Sequence, residues 1–169
     1  VGMDVVVKNI QEIGGTIHIE SEPDVGSKTI IRIPLTLAII SGMNTRVGEG
    51  QYAIPIKEVR ESFRPEKKDI ITDPDGQEMV MVRGQCYPVV RLHRLFDIQP
   101  DSENLWEGIL IMVERDEKVT CLFVDELLGE QQMVVKALPK YMKRLKGISA
   151  CTLLGDGSIS LILDVGILF

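Results

Sequence analysis

Only three of the 169 residues are cysteine, and Cys86, Cys121 and Cys151 are widely separated and odd in number, which excludes a disulfide framework and a zinc-ligand spacing. Each lies among apolar strand residues, so all three are expected to be small buried hydrophobes in a reducing compartment. Aromatic residues make up 5% of the chain, too few for the platforms on which proline-rich peptides and nucleic-acid strands dock. A net charge of −6 gives no global attraction to nucleic acid or anionic lipid, and the basic run from Lys136 to Lys146 reads as a solvated connection between strands. No apolar run approaches the roughly 18 residues of a membrane span, since Leu35 to Ile40 stops at Ser41 and Gly42. No secretory signal is read at the start. The expectation is a cytoplasmic protein with no nucleic-acid partner and no direct membrane insertion.

Catalytic motifs are missing too. There is no P-loop, no HExxH and no GxSxG. Histidine, the commonest general base, occurs twice: His18 in an alternating strand, and His93 on a short helical or turn segment beside Arg91 and Arg94. Asp125 and Glu126 follow a strand directly, where a place at a helix N-terminus explains them without chemistry.

What is present is a globular composition, 44% hydrophobic and 26% charged, on a chain long enough to bury a core. It is also written twice. Pro88-Val89-Val90-Arg91-Leu92 falls over Leu161-Ile162-Leu163-Asp164-Val165, and Ala53 to Val59 falls over Cys121 to Leu127. The first set of strands is expected at 35–47, 51–56, 69–72, 78–82 and 86–90, with hairpin turns at Asp73 to Gly76 and Arg83-Gly84. The second is expected at 107–114, 119–124, 131–136, 148–154 and 158–163. Five strands each point to two small closed barrels in tandem, about 35–95 and 105–169, because closure removes exposed strand edges. Residues 94–105 read as the hinge.

The first 34 residues differ in style. Met3, Val6, Val7, Ile10 and Ile13 recur at helical spacing, and Gly14-Gly15 can end the helix. Thr16 to Glu20 and Thr29 to Ile33 then alternate as a hairpin. One helix and one hairpin bury too little to stand alone, so this piece is expected to be the end of something larger.

Gly2-Met3-Asp4-Val5-Val6, the run from Ile13 to Glu22, Gly26 and the run from Ile31 to Ile39 strongly resemble the end of the ATP-binding domain of the bacterial chemotaxis histidine kinase CheA. Tyr52 to Ile56, Val124 to Gln131, Val135-Lys136 and Ile148 to Val165 resemble the regulatory domain of that family, which shares a two-barrel, SH3-like fold with the adaptor CheW. The resemblance covers essentially the whole chain. It implies a mainly β, CheW-like regulatory domain at 35–169, preceded at 1–34 by a helix-plus-hairpin remnant of an α/β ATPase domain.

By that resemblance the domain is not catalytic. It docks CheW and the cytoplasmic tips of chemoreceptors, at membrane-associated arrays, and couples receptor state to kinase activity. Gly2 and Met3 match the last phosphate-side glycine motif of the family's ATP site, without its partner motifs. ATP therefore belongs to the intact parent, which dimerises through a different domain, and no cofactor is expected here. Partner contacts are expected at Ile71, Met79 and Met81 on the first barrel, where alternating Met and Val leave one strand face exposed, and at Met133 and Val135 on the second. The alternatives are a free-standing CheW or CheV-like adaptor, against which residues 1–34 argue, and an ATP-binding kinase fragment.

Overall fold

The structure is a computed structural model that describes residues 2–12, 15–33, 39–138, 142 and 145–168. It divides into two compact units, 1–38 and 39–169. Ile13, Gly14 and the expected boundary at Leu35 lie outside the described residues.

The first unit holds α1 (Gly2–Glu12), β1 (Thr16–Glu22) and β2 (Gly26–Arg32), the strands pairing antiparallel from Thr16 opposite Arg32 to Glu22 opposite Gly26. Gly15 makes the return to β1 possible. Its amide donates to the Ile10 carbonyl at 2.8 Å, and a Cβ there would lie 2.8 Å from both the Arg32 carbonyl oxygen and the Ile10 side chain. Ile10 is buried, whereas Met3 and Val6 on the same helix are exposed.

The second unit contains β3 (Ile39–Val47), β4 (Gly50–Pro55), β5 (Val59–Phe63), β6 (Ile70–Thr72), β7 (Glu78–Val82) and β8 (Gln85–Arg91). After α2 (Leu92–Phe96) come β9 (Ile109–Arg115), β10 (Lys118–Val124), β11 (Glu126–Val134), β12 (Ile148–Leu153) and β13 (Ile159–Leu163). The expected turns form as read. Arg83 and Gly84, at φ of 50° and 83°, join β7 to β8, and the Asp73 carboxylate accepts from the amides of Asp75 and Gln77 to close the β6–β7 turn.

The strands do not divide into consecutive barrels at 35–95 and 105–169. One sheet has the order β11-β3-β4-β13-β12 and the other β5-β9-β10-β8-β7-β6, so each draws strands from both halves. The exchange is regular. Each half offers a hairpin (β3–β4 or β9–β10), and the other half supplies the strand after its own hairpin on one side and its last hairpin on the other. The physical cause lies just past each hairpin. Pro55 ends β4, a single 3₁₀ turn (Ile56–Glu58) redirects the chain, and β5 pairs with β9 instead of folding back locally. The parallel pairs β4–β13 and β8–β10 need long crossovers, and the opposite half provides them.

The repeat extends to the irregularities. Leu127 lies opposite Thr45 and Val59 opposite Val113, and in both pairs the register then slips by one residue, leaving bulges at Leu128 and Arg60. The closed barrels expected from the strand count are not present as full ladders. Among the described residues, the segment just past β11 meets β12 through a single antiparallel bridge between Lys136 and Cys151, with N···O distances of 2.8 and 3.0 Å.

Alternation along the strands produces separate cores. Val47, Ile54 and Leu163 of one sheet and Ile111, Val113 and Leu122 of the other share the central core. The opposite faces carry their own clusters, one of Val80, Val89, Leu110, Cys121 and Phe123, the other of Ala53, Met133, Ala150 and Ile162. Cys121 is buried as expected and Cys151 half-buried, but Cys86 is exposed because it sits on the outward face of β8.

Candidate docking surfaces

On β7, Val80 points into its sheet's own core, and strand alternation puts Met79 and Met81 on the other face. Register places Ile71 and Pro88 beside Met79, and Cys86 beside Met81. The result is an apolar patch at the end of the sheet, with Met81 43% and Ile71 37% exposed. The three residues expected on the first half thus lie together on one surface.

The second half differs from expectation. Met133 is 3% exposed and packs with Ala53, Ala150 and Ile162, so it is a core residue and not a contact. β11 bulges at Leu128, and the alternation after Gly129 turns Met133 inward although Glu130, Gln131 and Gln132 before it are polar and exposed. Val135 is half-buried against the same cluster. Its exposed edge faces a groove of about 600 Å³ with Ile40, Pro55 and Ile56 on its apolar side, and Arg115 on its rim bridges Asp164 at 3.0 Å and Glu58 at 3.9 Å.

The repeat locates the true counterpart of the first patch. Pro88 corresponds to Leu161, hence Met81 and Cys86 correspond to Leu153 and Ile159, which are register partners on the β12–β13 hairpin. Leu153 is 54% and Ile159 61% exposed. Two equivalent hairpin ends, one from each half, therefore present uncovered apolar pairs.

Between the halves lies a polar junction. Arg46 donates to Glu126 at 3.0 Å, to Asp101 at 2.7 Å and to the Gly48 carbonyl at 2.9 Å, while Asp125 accepts from the amides of Gly48 at 2.6 Å and Asp101 at 3.2 Å. The hydrogen bond from Arg46 holds the Asp101 carboxyl below its ordinary range. Asp125 and Glu126 do not open a helix, as the sequence reading had it. Glu126 starts β11, and both carboxylates tie strands together. Arg91, its side chain 8% exposed, donates to Glu78 at 2.5 and 2.7 Å and holds that carboxyl below its ordinary range.

Gly2 and Met3 open α1, and a Cβ built on Gly2 meets nothing within 4 Å. A phosphate cradle needs further groups beside such a helix start. His18 is exposed on β1 and pairs loosely with Glu20 at 3.9 Å. Among the described residues no cluster of His, Cys, Asp or Glu could hold a metal ion, and no helix is long and apolar enough to cross a membrane.

Two strand-exchanging sheets with an uncovered apolar pair at the end of each define the class of fold, and the chain belongs to the CheW-like domain family, which matches residues 41–169. More particularly, it is 42% identical over 168 residues to the chemotaxis protein CheA of Klebsiella aerogenes, covering 99% of this chain and 26% of that protein. The Salmonella typhimurium CheA is 40% identical over 168 residues, covering 99% and 25%. The Treponema pallidum CheA is 42% identical over 167 residues, covering 98% and 20%. The chain thus spans a quarter or less of two of these relatives and about a quarter of the third, and it corresponds to their CheW-like part. The crystal structure of the scaffolding protein TtCheW from Thermoanaerobacter tengcongensis aligns with a TM-score of 0.64 at 18% identity, covering 74% of this chain and 88% of that one, a likeness of fold.

Proposed function

We propose that this chain is the regulatory and scaffolding module of a chemotaxis histidine kinase. It docks the adaptor CheW and the cytoplasmic tips of chemoreceptors, and by its position couples receptor state to a kinase domain that lies outside residues 39–169. The observation that carries this reading is the pair of equivalent apolar hairpin ends at Met81/Cys86 and Leu153/Ile159. One molecule can then hold two CheW-like domains by the same kind of contact, the geometry from which head-to-tail rings or chains are built. Its place is the cytoplasmic side of receptor arrays, and the parent kinase dimerises elsewhere.

Residues 1–34 are, on this reading, the last helix and hairpin of the ATP-binding domain, which argues against a free-standing CheW or CheV-like adaptor. Titration calorimetry with a cognate CheW tests the proposal. The chain binds CheW, a chain lacking residues 1–38 binds it equally well, and ATP gives no heat. Heat with ATP in the absence of CheW binding would favour the kinase-fragment reading instead.

A further inference from the structure

The helix that joins the two halves is built on a buried imidazole. His93 is 4% exposed, and among the described residues neither Nδ1 nor Nε2 has a hydrogen-bond partner. Its ring stands edge-on to Phe123 of β10, with centroids 5.9 Å apart and planes at 78°. A buried imidazole ordinarily has at least one such partner.

The same residue anchors the strap that follows. The His93 carbonyl accepts from the amide of Asp97, which caps α2 in the left-handed region at φ 55°, and from the amide of Ile98 at 2.8 Å. Ile98 and Gln99 then close on the β3–β4 turn so tightly that a Cβ on Gly48 would lie 2.4 Å from the Gln99 carbonyl oxygen. Two residues further on, Asp101 joins Arg46 and Asp125. The run from Leu92 to Asp101 is thus held at one end by Leu92, Phe96 and Ile98 in the central core, with the imidazole packed on Phe123 beside them, and at the other by the junction between the halves.

The charges around the ring are set against a proton. Arg91 before α2 and Arg94 on it are the nearest cations, while Asp125 after β10, Glu103 in the connection and Glu78 on β7 are the acids that face it. Glu78 is engaged by Arg91, and Asp125 by the amides of Gly48 and Asp101. We propose that protonation of His93 is a switch that frees α2 and residues 97–101 from the two sheets while the strands stay folded.

Burial, then Arg91 and Arg94, lower the pKa of the docked imidazole below 6.5. Released to water, the ring regains a value near 6.5. Above that pH both states are neutral and the strap is held. As pH falls below it, the released state takes up the proton first, so opening becomes more frequent at pH 5.5 than at pH 7.5, by at most about tenfold.

The test uses the full chain carrying His18→Gln, which leaves one imidazole. Proton NMR is expected to give a His93 midpoint below 6.5. Amide exchange, corrected for intrinsic chemistry, is expected to show Asp97 and Ile98 opening several-fold and at most about tenfold more often at pH 5.5 than at 7.5, with Ile111 and Leu122 unchanged. His93→Leu should remove the pH dependence, and if that variant does not fold, the single-imidazole chain decides alone. A midpoint at or above 6.5, pH-independent opening at Asp97 and Ile98, or sheet amides opening together with the strap would overturn the proposal.

Discussion

Ile162 of β13 lies opposite Ala53 of β4 in a parallel pair, and Val89 of β8 stands in the same relation to Cys121 of β10. All four are buried. The last strand of each half therefore completes the sheet nucleated by the other half's hairpin, and neither half contains its own core.

Fragments 39–104 and 105–169 test this interdependence. Each alone is expected to be unfolded, with no cooperative melting, because its hairpin lacks the partner strands that cover it. Mixed in equal amounts they should assemble into one folded species with the circular dichroism of the intact unit. Cooperative folding of either fragment alone would contradict the exchange.

Met133 and Met81 should behave oppositely when charged. Met133→Arg places a cation against Ala53, Ala150 and Ile162, and several kcal/mol of stability are expected to be lost in urea unfolding. Met81→Asp, on an exposed strand face, should stay within about 0.5 kcal/mol of the parent.

The Arg91–Glu78 pair gives a pH signature distinct from that of His93. Because Arg91 lowers the Glu78 pKa below its ordinary 4.5, the folded state gains from the pair above about pH 4.5 and loses that gain as pH falls through the lower folded value. Glu78→Gln should flatten this acid limb of the stability curve. Arg91→Ala should cost about 2 kcal/mol at pH 7, less than a fully buried pair because Glu78 remains partly exposed. Chemical denaturation between pH 3 and 7 measures both.

Much of the fold could be read from local pattern. Period-two alternation marked most strands, Asp73 to Gly76 and Arg83-Gly84 marked their turns, and the match of Pro88 to Leu161 marked the repeat. What local pattern does not carry is which hairpin a strand joins. That choice rests on pairings between residues far apart in sequence, such as Ala53 with Ile162, and it is set by the Pro55 redirection and its counterpart at Asp125. β5 carries little signal in the sequence because its five residues, Val59 to Phe63, hold only two large apolar side chains and carry a bulge at Arg60. The second exposed apolar pair is legible in the repeat. Carrying Met81 across it leads to Leu153, whereas Met133, the residue expected there, is buried.

The most direct measurement of the docking account is the assembly state of the chain with CheW, by analytical ultracentrifugation, for the parent, Met81→Asp, Leu153→Asp and the double variant. The parent should form complexes larger than one-to-one, each single variant should stop at one-to-one, and the double variant should not bind, all with unchanged melting temperatures. A double variant that assembles with CheW as the parent does would contradict the account.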